Sequence, residues 1–364
     1  MRKEVISGIT VEYPDEISFC FNPVVINVSG YTGASVVMTV IDIQSEGKHE
    51  EKRAMFGAAC FFDVSFYMQS AFDMINFNEV DYSISGAQDS KLGRLFSVEL
   101  DFYDTPGTLA DSFQFNVFVI WGAMKIGERY NGDRVFTWFK NFPFSVGMYT
   151  AGSSSINVIA DGVSLAPIVV NERKVHNLML KEINAENELV FNLPGSSTGA
   201  NVFDNTFDLT FMALMNVASN VRLLVDNSDE GVYLRWINRH GFYCYWLFKR
   251  GDESRQVTND GEFIRNNMQD YSYVNGYHGG TGRKQKKTEE NTLLVCAPLV
   301  DSDMYDFLFQ LALSPVVDMY MGVGSDIDCW MGVNVSVGTY NKTRVVLQDF
   351  VATIVLPETR VQSL

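Results

Sequence analysis

The feature that most constrains this fold is an alternation of apolar and polar residues with a period of two, repeated in many short runs. Runs such as Ser35–Ile43, Phe96–Tyr103 and Phe113–Ile120 are rich in Val, Ile, Phe and Tyr, and Gly, Asn, Asp or Pro bounds them. β-Branched and aromatic residues suit the pleated, half-buried surface of a sheet. Similar runs continue as far as Arg344–Leu356. With little helical periodicity between them, they predict an all-β fold made of sandwiches or barrels.

Two short helices and one domain boundary are predicted within this β pattern. The helices are expected at Phe62–Asp73, with Asp63 or Ser65 as N-cap, and at Asp303–Leu313, with Ser302 or Asp303 as N-cap. The small polar segment at residues 149–155 is typical of a linker. We therefore predict two β-sandwich or jelly-roll-like domains, an N-terminal one over residues 1–150 and a C-terminal one over residues 151–364.

Residues 251–292 form a second soft segment, which is polar and rich in Gly and charge. A segment of this kind predicts a long loop or an arm that becomes ordered on a partner. It carries the one basic cluster of a chain with 28 Lys and Arg against 44 Asp and Glu. The cluster, which comprises Arg283, Lys284, Lys286 and Lys287, is either a solvated face or a docking site for an acidic neighbour, including a second copy of this chain.

The overall charge and the cysteines limit the function classes. A net charge of −16 argues against non-specific nucleic-acid binding and against docking on an anionic membrane surface. No run of about 18 apolar residues is present, and the N-terminal residues lack the apolar core of a signal peptide. Five widely spaced cysteines predict buried reduced thiols and synthesis in a reducing cytoplasm.

No motif for catalysis or metal binding stands out. The four histidines lack zinc-ligand spacing, no nucleophile motif occurs, and the Gly-rich stretch 276–284 lacks the hydroxyl residue of a phosphate-binding loop. Asp326 and Asp328 alternate at strand spacing, so they are either solvated or a carboxylate pair for acid–base chemistry. We predict a protein that is not an enzyme and has no cofactor; glycan hydrolysis by these two carboxylates is the enzymatic alternative.

The aromatic segment Val232–Phe248 is the most informative part of the chain. It reads as two strands, Val232–Ile237 and Phe242–Phe248, around a turn in which Gly241 suits a positive φ. Both faces are apolar or aromatic, so both must be covered, by core on each side, by core and an oligomer interface, or by core and a sugar ligand. The interface candidates from this segment are Tyr233, Arg235, Trp236, Tyr243, Tyr245 and Trp246.

The hairpin YLRWINRHGFYCYWLFKRG resembles a pattern in structural proteins of tailed phages and prophages of Bacteroidetes hosts, including the crAss-like group, where W-x-N precedes a Gly and a Y-W-x-F run. Three further segments are similar to that family: Phe62–Phe72, with Gln69 where the family has Arg, Phe136–Phe144, and Leu311–Val317. The resemblance implies a tail, baseplate or neck protein of the virion, built of β-sandwich domains, present in multiple copies and without catalytic residues.

Two function hypotheses follow. The first is a structural virion component that forms a ring-type homo-oligomer and contacts other virion proteins, with no specific nucleic acid and no membrane as partner. The alternative is a carbohydrate-binding or adhesin module on a phage or bacterial surface, with Trp236, Trp246 or Trp330 as stacking platforms.

Overall fold

A computed structural model describes residues 1–72, 80–105, 107–124, 134–197, 201–203, 218–263, 271–274, 276–277, 283–322 and 329–358. The chain forms two compact units. The first comprises Met1–Asp229, Ile237–Trp246 and Gly324–Ile327, and the second comprises Glu230–Trp236, Leu247–Val323 and Asp328–Leu364. The described residues are mostly in strands, with two short helices, which confirms the predicted all-β class.

The strands and helices are numbered in chain order. The first nineteen strands are β1 Arg2–Ile6, β2 Ile9–Tyr13, β3 Ile17–Phe19, β4 Val25–Ser29, β5 Ser35–Asp42, β6 Lys48–Ala54, β7 Ala59–Asp63, β8 Ser85–Asp89, β9 Gly93–Thr105, β10 Thr108–Ile120, β11 Arg134–Phe139, β12 Ser145–Thr150, β13 Ser154–Ala160, β14 Val163–Ser164, β15 Ile168–Val170, β16 Lys174–Leu180, β17 Glu188–Leu193, β18 Asn201–Phe203 and β19 Ser219–Asp226. The remaining elements are β20 Val232–Ile237, β21 Tyr243–Phe263, β22 Tyr271–Ser272, β23 Gly276–Tyr277, β24 Arg283–Val300, β25 Val317–Tyr320, β26 Trp330–Val335, β27 Gln348–Val355, and the helices α1 Ser65–Ser70 and α2 Ser302–Leu313.

The first unit contains four sheets. Their strand orders are β1-β2-β4-β7, β3-β10-β9-β5-β6, β18-β12-β16-β8, and β11-β19-β17-β13-β14 with β15 on β13. The first two sheets contact each other through aromatic rings, since Tyr13 of β2 lies 4.6 Å from Phe115 of β10 between ring centroids. The other two sheets meet at Phe191 and Phe203, whose centroids are 6.4 Å apart. Alternating buried and exposed residues on these strands give each pair the character of a sandwich.

The chain also forms a closed barrel in which the strands follow the order β20-β21-β24-β27-β26-β25. Helix α2 supplies aromatic side chains to its core, because Phe307 lies 5.4 Å from Trp236 and Tyr305 lies 5.4 Å from Phe350, between ring centroids. The helix begins after Asp301, whose carboxylate accepts a hydrogen bond from the Met304 amide at 2.8 Å. Closure is one of the ways in which a β protein removes exposed sheet edges.

Three local expectations differ from the structure. The first helix is shorter than predicted, because Ala59–Asp63 pairs with β4 as a strand and leaves only Ser65–Ser70 helical. The second helix begins one residue earlier than predicted. Residues 251–263 and 283–292, expected as loop, lie in β21 and β24 and pair with each other. Charged residues occur on both faces of this strand pair, so the sequence shows no hydrophobic alternation there and did not predict the strands.

The compact units divide the chain elsewhere than at the predicted linker. Strand β12, which ends at the predicted boundary, pairs with β16 and β18 from the following segment. The first boundary between the two compact units lies between Asp229 and Glu230 instead. A small polar segment at residues 149–155 is thus a connection between paired strands of one unit.

Candidate functional site

The aromatic hairpin lies in the interior of the protein. Every residue of β20 is buried, with Tyr233 and Arg235 each 1% exposed and Trp236 fully buried. Tyr243 and Tyr245 are also buried, whereas Trp246 is half-buried. Five of the six aromatic-hairpin candidates are therefore not at the surface of the chain, and Trp236 offers no face for a sugar to stack on.

Arg235 is held by an ion pair within the barrel sheet. Its Nε donates to Asp318 Oδ2 at 2.8 Å, and the two residues are direct cross-strand partners on β20 and β25. The guanidinium also lies over the Trp330 ring, 4.3 Å from its centroid. A buried charge requires this kind of pairing. The arginine that suggested an interface is thus a structural residue of the barrel.

The turn of the hairpin explains the W-x-N and Gly elements of its sequence. Asn238 Oδ1 accepts hydrogen bonds from the amides of His240 and Phe242, both at 3.0 Å. Gly241 adopts φ +85°, and a Cβ there would lie 2.5 Å from the Trp121 carbonyl oxygen. Only glycine fits a left-handed position with so close a neighbour. The predicted positive φ at Gly241 is confirmed.

The outgoing strand of the hairpin is fixed by polar and ring contacts. The hydroxyl of Tyr245 lies 2.7 Å from Ser145 Oγ and 2.9 Å from the Tyr82 hydroxyl. Trp246 meets Phe139 edge-on, with ring centroids 5.4 Å apart. These contacts are intramolecular, so they support the interpretation that the chain itself covers both faces of the hairpin.

The remaining interface candidates lie on a two-stranded ribbon that we call the arm, residues 251–263 of β21 and 283–292 of β24. The strands are antiparallel, with Thr258 opposite Thr288 and Glu253 opposite Leu293. Of the residues described here, 283–290 pair with β21 alone, since β27 joins β24 only from Thr292 onwards. Strand β24 therefore offers a free edge over these residues.

Exposure distinguishes the arm from the other long strands. Each residue from Gly251 to Asn259 is exposed, including Val257 at 61%. Lys286 and Lys287 on the opposite strand are exposed too. On β24, by contrast, Thr288, Glu289, Asn291 and Thr292 are partly buried. The β21 strand of the arm thus lacks the apolar burial that stabilises a sheet.

Two of the four residues of the basic cluster stand opposite acidic residues of the same chain in the strand register. In the register of the arm, Lys286 stands opposite Asp260 and Lys284 stands opposite Glu262, while Arg283 stands opposite Phe263 and Lys287 opposite Asn259. The sequence pattern did not reveal this register, although the two charged stretches could have been paired by treating 251–292 as a hairpin.

Two clefts accompany these features, one in each unit. A polar cleft of about 400 Å³ lies against one face of the arm and is lined by Gln256, Thr258, Thr288, Glu290 and residues 332–334 and 355–358. In the first unit, an aromatic cleft of about 360 Å³ is lined by Tyr82, Phe142, Phe144, Lys140 and Lys181 with their neighbours. Neither cleft was expected from the sequence, because its walls come from segments far apart in the chain.

The described residues contain no group of three or more His, Cys, Asp or Glu side chains placed to hold a metal ion. Asp326 and Asp328 lie outside the described residues. Trp330 is half-buried beneath the Arg235 guanidinium. In the part of the chain that the structure covers, no helix has the length and apolarity required to cross a bilayer.

No family model matches the chain, and no curated protein is significantly similar to it. One of the solved structures that it matches comes from work on the host cell surface retention of a 1.5-MDa bacterial ice-binding adhesin. The match covers 80% of this chain and 92% of that chain at 10% sequence identity, with a TM-score of 0.20. A TM-score this low shows neither a common fold nor a common function.

Proposed function

We propose that this chain is a non-enzymatic structural component of a tailed-phage virion, in the tail, baseplate or neck, and that it assembles in multiple copies through the arm. The observation that carries the proposal is the exposure of residues 251–259 of the arm on both faces, together with the free edge of β24 over the described residues 283–290. The resemblance of the aromatic hairpin to phage structural proteins supports the virion setting. The protein is made in the host cytoplasm and resides in the particle.

The physical argument concerns the stability of a bare ribbon. An isolated two-stranded hairpin is marginally stable in water, and a third strand or a packed face is needed to stabilise it. An exposed edge is also a template for pairing with another chain. The ion pair between Arg255 and Glu289, 3.9 Å apart across the arm, is solvent-accessible and contributes little energy. We infer that the arm acquires its remaining contacts from a neighbour.

The neighbour we propose is a second copy of this chain. At net charge −16, a copy presents a predominantly acidic surface, while the distal end of the arm carries the basic cluster. Complementary potentials steer association and set its orientation. A contact between an arm and a different surface on the next copy is heterologous, and it closes into a ring if the rotation permits. Other virion proteins would extend the same contacts.

The test is light scattering on the full chain over a concentration series. We expect a discrete closed oligomer for the wild type and dissociation for Lys286→Glu/Lys287→Glu. The matched control is Lys3→Glu/Lys52→Glu, which makes the same charge change at exposed positions of the first unit and should leave the oligomer intact. A wild type that stays monomeric at all concentrations, alone and with virion components, overturns the proposal. Equal dissociation of both variants shows a general charge effect and overturns the role of the arm.

A second candidate, carbohydrate binding on a phage or bacterial surface, is favoured by the aromatic cleft of the first unit. Aromatic rings with nearby lysine donors can stack on a sugar and hydrogen-bond its hydroxyls. Lys140 Nζ donates to Asn184 Oδ1 at 2.8 Å, which places a cation at the wall of the cleft. Binding on a glycan array that Phe142→Ala abolishes would support this function. An array with no response would remove it.

A further inference from the structure

A third cleft, in the first unit, combines charged side chains with aromatic walls. It encloses about 300 Å³, and its polar lining includes Arg2, Arg173, Glu16 and Tyr149, with Phe115 and Phe118 among its apolar walls. Small-molecule sites are commonly apolar pockets from this size upward, with a few converging polar groups. This cleft involves neither the arm nor the aromatic hairpin strands.

Tyr149 at the cleft carries a polar group without a partner. Its side chain is fully buried among core residues that include Phe118 and Val175, and its hydroxyl makes no hydrogen bond. Burial raises the pKa of Tyr149, with Glu16 adding to the shift and Arg173 and Arg2 opposing it, and all four residues line the same cleft. A buried hydroxyl left unpaired is costly, and buried polar groups nearly always have a partner.

The charges around the hydroxyl define the ligand that would satisfy it. Arg2 is 3.5 Å from Glu16, a loose pairing that leaves most guanidinium donors available, and Arg173 is exposed beside them. Two arginines and one carboxylate line the cleft, and a second carboxylate, that of Glu4, lies 3.4 Å from the hydroxyl of the lining residue Tyr13. With two cations and two carboxylates nearby, the site suits a monoanion better than a phosphate dianion. Guanidinium groups bind carboxylates through paired N–H donors. The long exposed arginine side chains can turn outward to admit an anion to the buried hydroxyl.

We propose that this cleft binds a small organic carboxylate with an apolar ring-sized body. Its carboxylate would accept hydrogen bonds from Arg2, Arg173 and the Tyr149 hydroxyl, and its body would lie against Phe115 and Phe118. Arg173 adopts φ +51°, a left-handed conformation that a non-glycine residue rarely takes. That turn places the arginine between β15 and β16 at the cleft.

The experiment uses saturation-transfer NMR and calorimetry on the full chain with benzoate as the probe. Uncharged benzamide tests the need for the anion, and inorganic phosphate tests the need for the ring. We expect benzoate to bind with a Kd on the order of 1 mM, as befits a ligand of this size. Tyr149→Phe and Arg173→Gln should each weaken binding about tenfold, the value of one hydrogen bond to a charged group. Tyr31→Phe and Arg222→Gln are the controls outside the cleft and should leave the Kd unchanged.

Each alternative outcome overturns the proposal. Absence of benzoate binding in the folded wild type shows that the cleft does not bind this class of ligand. Equal binding of benzamide shows an apolar pocket without carboxylate recognition. Equal binding of phosphate shows a general anion site. Benzoate binding that survives both Tyr149→Phe and Arg173→Gln places the site elsewhere.

Discussion

At the scale of single residues, the buried pair of Arg235 and Asp318 shows how a side chain suited to an interface serves the core instead. Arginine is frequent at interface hot spots, which is why its place among aromatic residues suggested a binding surface. The sequence could not identify Asp318 as its partner, because 83 positions separate the two residues along the chain. Strand register, set by the closing of the barrel, brings them together.

We predict that removing one partner of this pair is worse than removing both. Asp318→Ala should lower the free energy of unfolding by about 3–5 kcal/mol, because it leaves a buried guanidinium without its carboxylate. Arg235→Met/Asp318→Leu should cost less than Asp318→Ala alone. Urea unfolding of the full chain measures both. For comparison, Glu188→Gln breaks an exposed pair with Arg222 and should cost under about 1 kcal/mol. A double variant that is less stable than Asp318→Ala would contradict this account.

Two tyrosines allow a matched comparison of a satisfied and an unsatisfied hydroxyl. Tyr31 donates to Asp104 Oδ1 at 3.0 Å, whereas the Tyr149 hydroxyl has no partner. Tyr31→Phe should lower the free energy of unfolding by about 1 kcal/mol, the net value of a typical hydrogen bond. Tyr149→Phe should leave it unchanged or raise it, because the variant removes a buried polar group. Denaturant midpoints at constant slope decide the comparison; a marked loss for Tyr149→Phe would show that its hydroxyl is satisfied in solution.

At the scale of elements, the sequence predicted residue type and turns better than pairing. The strand character of Val232–Ile237 and the glycine of the hairpin turn were predicted from local pattern alone. The arm was not, because β21 and β24 stay extended through charged residues that give no hydrophobic alternation. The strands of the arm continue strands of the barrel. Hydrogen bonds that begin in the barrel sheet therefore keep the arm extended, without a buried face of its own.

We predict that the N-cap of helix α2 contributes to the stability of the protein. Asp301 caps the helix through its carboxylate, and Asp303 adds negative charge to the first turn. Asp301→Ala should destabilise the protein by about 1 kcal/mol, while Asp301→Asn or Asp301→Ser should retain most of the capping. Thermal or urea unfolding of the three variants checks the order. Equal losses for all three would mean that the carboxylate acts by charge alone.

In the whole molecule, pairing between strands that are distant in sequence determines the boundary of the compact units and the position of the candidate ligand cleft. Small polar residues at 149–155 resemble a linker, yet the flanking strands join sheets of one compact unit. The candidate ligand cleft has the same origin, since its walls come from β1, β10, β12 and the turn before β16. No short motif could indicate either, because each depends on residues that only the folded chain brings together.

The separation of barrel and arm leads to a prediction for the intact protein. Replacing residues 257–289 with Asn-Gly would join Gln256 to Glu290, which are direct cross-strand partners, through a two-residue turn. Because the removed ribbon residues that the structure describes are mostly exposed, the free energy of unfolding should change by less than about 1 kcal/mol. The shortened chain should also remain monomeric at concentrations where the full chain associates. Urea unfolding and light scattering test the two parts separately. If the shortened chain still forms the full oligomer, the interface lies on another surface. If it fails to fold, the arm is needed for the stability of the barrel.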